Sequence, residues 1–166
     1  MPFFRISALL LSIAMLISLN GCDSGTESNS NISNTANNVL TESSNSANTN
    51  PEQLNLLIKI PYEADDLIWK EFSSPRRIVA VFRFYPDDTA KLMETAVSEK
   101  TPTPITISSE TWFPDELIAQ SESDGPGDTL KGTAYGAGQF LQPPFNEGRL
   151  IRIDGTDFII LEASVR

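Results

Sequence analysis

Alternating apolar and polar residues predict strands in the first part of the chain after residue 50. Residues 54–60 read Leu-Asn-Leu-Leu-Ile-Lys-Ile, and this period of two predicts a half-buried strand that ends at Pro61. A weaker alternation over residues 67–72 predicts a second strand. Residues 76–85 are apolar on both faces, which is typical of a strand inside a sheet.

The pattern becomes helical after Pro86. Asp87 and Asp88 are acidic residues of the kind that cap a helix N-terminus and favour its dipole. The apolar residues of 88–99 recur at spacings of one and four, so we expect a helix whose apolar stripe lies on the sheet. This stripe consists of Leu92, Met93, Ala96 and Val97.

An extended connector and a second, shorter helix are expected next. Residues 101–104 read Thr-Pro-Thr-Pro and end the first helix, and a short apolar stretch follows at 105–107. Pro114, followed by the acidic residues Asp115 and Glu116, indicates the first turn of a short helix.

Two apolar segments near the C-terminus predict a hairpin. Residues 150–153 and 156–165 flank an Asp-Gly pair at 154–155, which is typical of a two-residue type I′ turn. In that register Arg152 lies opposite Asp157, and we expect an ion pair between these two side chains.

A glycine-rich strand is predicted to begin near Leu130. Gly132, Gly136 and Gly138 indicate either β-bulges or a close approach of another backbone. The segment lacks the order of residues and the strand-to-helix context of a phosphate-binding loop. We therefore expect no cofactor here, and whether the glycines serve structure or function stays open.

Together these elements predict a single α+β domain over residues 51–166. We expect a mostly antiparallel sheet of about six strands, one longer helix on one face of the sheet, a short second helix and a C-terminal hairpin. The oligomeric state stays open.

The first 21 residues predict a signal peptide. Residues 1–5 carry one positive charge, and residues 6–19 are apolar apart from three serines. This length matches the hydrophobic region of a signal peptide and falls short of the roughly 20 apolar residues of a membrane span. The pattern therefore indicates export from the cytoplasm.

A lone cysteine follows this segment. The sequence Leu19-Asn20-Gly21-Cys22 resembles the lipobox of bacterial lipoproteins, with Asn20 in place of the commoner Ser, Ala or Thr. The resemblance implies cleavage before Cys22 and attachment of two or three acyl chains, such as palmitate, to this residue. Two or more chains anchor a protein stably in a membrane. The alternative is a secreted protein in which Cys22 is lost or left free.

Similarity extends to the residue after the cysteine. Asp23 resembles the signal that retains enterobacterial lipoproteins in the inner membrane, and the choice between inner and outer membrane stays open.

Residues 22–50 predict a disordered tether that starts at the lipidated cysteine. Residues 24–50 contain seven Ser, eight Asn and four Thr, with few sizeable apolar side chains. Such a composition buries too little surface to offset the entropy of ordering. A flexible coil of about 30 residues spans roughly 30 Å on average. The alternative is that this Asn-rich segment itself binds a partner such as a glycan.

The composition excludes several classes of function. The chain has 12 Lys and Arg against 22 Asp and Glu, and its net charge of −10 disfavours binding to nucleic acid. The absence of histidine and the single cysteine exclude Ser-His and Cys-His catalysis, His-ligated metals and an intrachain disulfide. Four aspartates lack the spacing of a calcium-binding loop, so we expect no metal site. They are Asp124, Asp128, Asp154 and Asp157.

Three pairs of adjacent acids leave one enzymatic alternative, a small carboxylate-based hydrolase or transferase. A glycosidase needs two carboxyl groups about 5 to 10 Å apart across a cleft, which adjacency in the chain does not supply. Two of the pairs begin predicted helices, where capping explains them. The pairs are Asp65-Asp66, Asp87-Asp88 and Asp115-Glu116.

The sequence thus predicts a lipid-anchored protein of the cell envelope, with its domain on the periplasmic or outer side, that binds a partner and is not an enzyme. The partner would be the membrane itself, through lipid on Cys22, together with an envelope protein or a cell-wall glycan. Aromatic residues outside the surest strands form a candidate interaction surface, with a covering role for the sheet as the alternative. They are Trp112, Phe113, Tyr135 and Phe145.

Overall fold

Six strands form one sheet in which every neighbouring pair is antiparallel. The structure is a computed structural model and describes residues 46–123 and 127–166. The strands are β1 Ala64–Ser73, β2 Arg76–Phe84, β3 Thr103–Ser108, β4 Thr129–Tyr135, β5 Glu147–Ile153 and β6 Phe158–Ser164. Their order across the sheet is β1-β2-β6-β5-β4-β3, so β1 and β3 form the two edges.

Three helices and a 3₁₀ turn accompany the sheet. They are α1 Pro51–Asn55, α2 Pro86–Glu99, α3 Asp115–Ile118 and the 3₁₀ turn Gly138–Phe140. Within the described residues, no helix combines the length and apolar character needed to cross a membrane. The antiparallel sheet, the one longer helix, the short helices and the β5–β6 hairpin confirm the predicted α+β class.

Both faces of the central strands are buried, as the two-sided apolar pattern of β2 predicts. On one face Phe82 packs with Leu92 of α2 and with Phe140. On the opposite face Val81 packs in a second cluster with residues of the 112–118 segment, including Phe113. The sheet is therefore the middle layer between two apolar clusters.

Helix α2 begins two residues earlier than predicted, because Pro86 is the first helical residue and its fixed φ suits that position. Asp87 and Asp88 lie in the first turn, as expected. The predicted stripe is only partly buried. Ala96 is completely buried against the sheet, whereas Val97 is 48% exposed.

The strand predicted over residues 54–60 is wrong, because this segment forms α1 and the turn after it. The side chain of Asn50 accepts a hydrogen bond from Gln53 N–H and so caps the helix, and Pro51 occupies its first turn. Leu54 and Ile58, four residues apart, are both fully buried. Leu56, which a strand would place beside them, is 81% exposed.

The predicted register of the C-terminal hairpin is also wrong. Arg152 lies opposite Ile159 rather than Asp157, and the expected Arg152–Asp157 ion pair is absent from the described residues. Thr156 causes the shift, since its N–H and hydroxyl both donate to Ile153 C=O, at 3.3 and 3.1 Å. The connection therefore has four residues, 154–157, instead of two.

Strand β3 includes residues that were expected to form a connector. Ser109 N–H donates to Asp128 C=O at 2.8 Å, and bonded pairs alternate with non-bonded pairs along an antiparallel ladder. Pro104, which lies opposite Thr133, therefore occupies a non-bonded position. Its nitrogen, which carries no hydrogen, faces the open edge of the sheet, where a proline is tolerated.

Candidate functional site

The C-terminal end of α2 is fixed to the end of β4 by two glycines. Gly136 N–H donates to Ala96 C=O at 3.3 Å, and Gly138 N–H donates to Oε2 of Glu99 at 2.7 Å. A Cβ atom on Gly136 would lie 2.5 Å from Cβ of Glu99. The close-approach interpretation is therefore correct for Gly136, and also for Gly132, where an added Cβ would lie 2.5 Å from Arg152 C=O. At Gly138 the added Cβ would meet the Glu99 side chain and no backbone atom among its nearest neighbours.

A concavity lies over β4 and β5, on the same face of the sheet as α2 and near the β5–β6 turn. No residue of α2 lines it. We call it the polar concavity, and its volume is about 530 Å³. Its lining residues are Thr133, Tyr135, Arg152, Ile153, Asp154, Gly155, Thr156 and Asp157.

The sheet register sets the walls of the polar concavity. Thr133 of β4 lies directly opposite Arg152 of β5, and Tyr135 follows two residues along β4, so all three side chains project from one face. Tyr135 also packs at the margin of the apolar cluster under α2. This contact holds the tyrosine ring beside the open part of the sheet.

The β5–β6 turn forms the opposite wall and is held by several hydrogen bonds. Asp154 N–H donates to Lys131 C=O at 3.1 Å, and Phe158 N–H donates to the Thr156 hydroxyl at 3.2 Å. Gly155 has a φ of 72°, a left-handed conformation that favours glycine. The turn therefore has a defined shape at the rim of the concavity.

Five polar side chains of the polar concavity retain their hydrogen-bonding capacity. They make no side-chain hydrogen bond and no ion pair with any residue in the described ranges. One is cationic, two are anionic and two are hydroxyl groups, so the concavity offers both donors and acceptors to a ligand. These residues are Thr133, Tyr135, Arg152, Asp154 and Asp157.

A larger concavity, of about 660 Å³, lies beside α1 and the start of β1, and we call it the acidic concavity. It is lined by Thr49, Pro51, Glu52, Asn55, Ile60, Pro61, Tyr62, Glu63, Ala64, Asp65, Asp66 and Leu67. Two of its acids are already paired, because Arg83 contacts Asp65 at 3.1 Å and Asp66 at 3.6 Å.

Arg83 is the centre of this ion-pair group. Its third partner is Glu116 of α3, at 3.1 Å, and its guanidinium lies over the ring of Phe158. Burial alone would lower the pKa of Arg83, but the hydrogen bond to Asp65 and the surrounding carboxylates raise it. The guanidinium therefore stays charged, and its three acidic partners are held around it in ion pairs.

Each predicted pair of adjacent acids contributes at least one residue to an ion pair. The capping expected at the starts of α2 and α3 is wrong, because neither helix has a side-chain hydrogen bond at its cap. Asp88 instead forms an ion pair with Lys91 at 2.9 Å on the first turn of α2. Glu116 is held by Arg83. Glu52 and Glu63, which were not singled out in the sequence, are the other carboxylates that line the acidic concavity.

The four predicted aromatic residues do not form one surface. Phe113 is 5% exposed and Phe145 is completely buried, so both belong to the core. Trp112 and Phe113 lie on one side of the sheet, whereas Tyr135 and Phe145 lie on the other. The covering role is therefore correct for Phe113 and Phe145, whereas Tyr135 lines the polar concavity.

No group of three or more acidic, cysteine or histidine residues converges as a metal site within residues 46–123 and 127–166. Of the four aspartates considered for calcium, Asp124 lies outside the described residues. Asp128 accepts a hydrogen bond from the Ser123 hydroxyl. Asp154 and Asp157 both line the polar concavity.

The segment before α1 is fastened to the edge strand β1. Asn48 and Trp69 exchange two backbone hydrogen bonds of 2.8 Å, and the indole N–H of Trp69 donates to Asn50 C=O at 3.1 Å. The side chain of Asn48 donates to Oε1 of Gln53 at 2.6 Å. The end of the predicted tether is therefore part of the folded domain from Asn48 onward.

Comparisons with known proteins give no relative. No family model matches this chain, and no curated protein and no solved structure is detectably similar to it. The signal peptide, Cys22 and most of the predicted tether lie outside the described residues.

The sequence pointed to the turn at the polar concavity but not to a site. The Asp-Gly pair signalled the hairpin, and the assumed two-residue turn assigned Arg152 and Asp157 to each other. With the four-residue turn, both side chains are left to line the concavity. Thr133 gave no signal in the sequence beyond its place in a glycine-rich strand.

Proposed function

We propose that this chain is a lipid-anchored protein of the cell envelope whose globular domain binds a ligand and catalyses no reaction. Its domain would lie on the periplasmic or outer side of a membrane, joined to the lipid on Cys22 by the tether.

One observation carries this proposal. The chain has one cysteine, and it stands in the lipobox-like sequence Leu19-Asn20-Gly21-Cys22 directly after a short hydrophobic segment. A lone cysteine in an exported chain calls for an explanation, and lipid attachment supplies one.

Two features of the folded domain support a binding role. The chain joins the domain at β1, where Asn48 pairs with Trp69, and the polar concavity lies three to four strands away at β5 and β4. With strands about 4.8 Å apart, this separation is roughly 14 to 19 Å. A ligand at the polar concavity would therefore not compete with the attachment of the tether.

The enzymatic alternative would use the acidic concavity. Asp65 and Asp66 are engaged by Arg83, which leaves Glu52 and Glu63 as the carboxylates with no ion pair to a described residue. If the protein were a carboxylate-based hydrolase, Glu52→Gln and Glu63→Gln would each abolish turnover of a substrate. A binding module would show no turnover in a screen of glycan and ester substrates with either the unaltered chain or these variants.

The anchor is tested by labelling cells with an alkyne analogue of palmitate and separating membranes from soluble protein. We expect the unaltered chain to carry label and to enter the detergent phase. Cys22→Ser should lose both properties, whereas the neighbouring Ser24→Ala should keep them. Label that persists in Cys22→Ser, or an unlabelled chain in the medium, would contradict the proposal.

The binding role is tested by chemical cross-linking in intact cells, affinity purification and mass spectrometry. We expect the full chain to recover one envelope component in near-equal amount, and Cys22→Ser to recover much less because it is no longer held at the membrane. Recovery of bulk membrane proteins only, with both chains alike, would remove the support for a tethered binding module.

A further inference from the structure

We propose that the polar concavity is a binding site for a neutral saccharide. This inference names the ligand class of the binding module, and so it rests on the proposed function for its setting in the envelope.

The charges of the site favour a ligand without net charge. Arg152 contributes one positive charge, and Asp154 and Asp157 contribute two negative charges, so the three ionised side chains sum to −1. An anionic ligand bound by Arg152 would meet two carboxylates. A hydroxyl group both donates and accepts, so one polyol can bond with the aspartates and with the arginine at the same time.

The hydrogen-bonding groups of the site are available to a ligand. The side chains of Arg152, Asp154 and Asp157 make no hydrogen bond or ion pair with described residues, so a ligand would replace water without breaking a protein contact. This distinguishes them from the acids of the acidic concavity at the edge strand β1, where Asp65 is held by Arg83.

Tyr135 adds an apolar surface beside these polar groups. Its ring packs at the margin of the cluster under α2, which fixes the position of the ring, and its remaining surface lines the concavity. An aromatic ring next to several polar groups suits a pyranose sugar, whose C–H groups form apolar faces while its hydroxyl groups lie around the rim. The volume, about 530 Å³, lies within the range of small-molecule sites.

The site is largely formed before a ligand arrives. The turn is held by the bonds of Thr156 to Ile153 and of Asp154 to Lys131, while Thr133 and Arg152 project from paired strands. Binding would therefore order few residues, and little affinity would be lost to conformational entropy.

The test is calorimetric titration of the purified full chain in detergent with two neutral tetrasaccharides, of N-acetylglucosamine and of glucose, and with the anionic tetramer of galacturonic acid. We expect saturable binding of at least one neutral tetramer and binding of the anionic tetramer that is about tenfold weaker or absent. Arg152→Gln and Asp157→Asn should each weaken binding of the neutral ligand by about tenfold.

Matched controls separate a lost contact from a general effect of charge. Lys100→Gln and Glu94→Gln each remove one exposed charge on α2 or directly after it, and neither residue lines the polar concavity. Both should bind like the unaltered chain. Circular dichroism and the urea midpoint should show that all four variants are folded, since every altered side chain is exposed.

Several outcomes would overturn the inference. They are the absence of saturable binding by either neutral tetramer, equal affinity of Arg152→Gln and Asp157→Asn with the unaltered chain, and tighter binding of the anionic tetramer. These results are independent of the anchor. Lipid on Cys22 without saccharide binding removes this inference alone, and saccharide binding without lipid on Cys22 removes the proposed anchoring alone.

Discussion

The backbone N–H of Gly138 donates a hydrogen bond to Oε2 of Glu99, with 2.7 Å between the two atoms. Glu99 is the last residue of α2, and Gly138 begins the 3₁₀ turn that follows β4. The Glu99 carboxylate thereby accepts from a backbone N–H at the start of the 3₁₀ turn, a position where helical N–H groups have no partner within their own helix. It ties the last residue of α2 to the segment that follows β4.

Gly136→Ala is expected to destabilise the domain by about 1–3 kcal/mol, because the added Cβ overpacks the contact with α2. Its position would be 2.5 Å from Cβ of Glu99, an atom that cannot move without the helix. Urea unfolding followed by circular dichroism measures the effect. Gly127→Ala is the matched control, since no atom lies within 4 Å of its added Cβ, and an equal loss in both variants would contradict the packing argument.

Trp69→Phe is expected to lower the free energy of unfolding by about 1 kcal/mol more than Trp112→Phe does. Each change replaces an indole with a smaller phenyl ring and removes one N–H donor. The N–H of Trp69 donates to Asn50 C=O, whereas the buried N–H of Trp112 has no partner in the described part of the chain. Equal losses in urea unfolding would mean that the Trp69 bond does not fasten the segment before α1.

Leu54→Ala and Leu56→Ala distinguish α1 from the strand that the sequence predicts. In the structure Leu54 is completely buried and Leu56 is 81% exposed. We expect Leu54→Ala to cost about 2–5 kcal/mol and Leu56→Ala to stay within about 0.5 kcal/mol. A strand would place both residues on one buried face, so similar losses in the two variants would favour the strand.

Pro104→Val is expected to promote self-association, because it adds a free N–H to an uncharged edge strand. Residues 101–109 carry no charged side chain, and the nitrogen of Pro104 faces the open edge of β3. Sedimentation velocity of the full chain in detergent measures the effect. Pro102→Val, one residue before β3, should leave the sedimentation coefficient unchanged, and a larger species in both variants or in neither would contradict the role of Pro104.

Most of the sheet could be predicted from the sequence, because the pattern of apolar residues in the strands matches the faces that the sheet buries. Residues of β2 are apolar on both faces, and only an internal strand buries both. The segment from Leu54 to Ile60 misled because its residues alternate as in a strand, while Asn50 and Pro51 start a helix from outside that window. The capping residues decide that a helix forms instead of a strand, and the apolar pattern of residues 54–60 does not include them.

The polar concavity could be predicted only in part. An Asp-Gly turn is visible in the sequence, but the position of Arg152 depends on whether the turn has two or four residues. The bonds of Thr156 to Ile153 decide this, and they involve a hydroxyl group whose role no periodicity reveals. The approach of Thr133 to Arg152 depends on a strand pairing between β4 and β5 that is not local in sequence.

The two tryptophans give the protein a fluorescent reporter for each face of its sheet. Trp69 belongs to the apolar cluster on the α2 side, and Trp112 packs against the opposite cluster. Since the chain contains two tryptophans, each Trp→Phe variant emits from one face only. Coincident emission transitions in the two variants would mean that both layers melt as one cooperative unit, and separate transitions would reveal a layer that opens first.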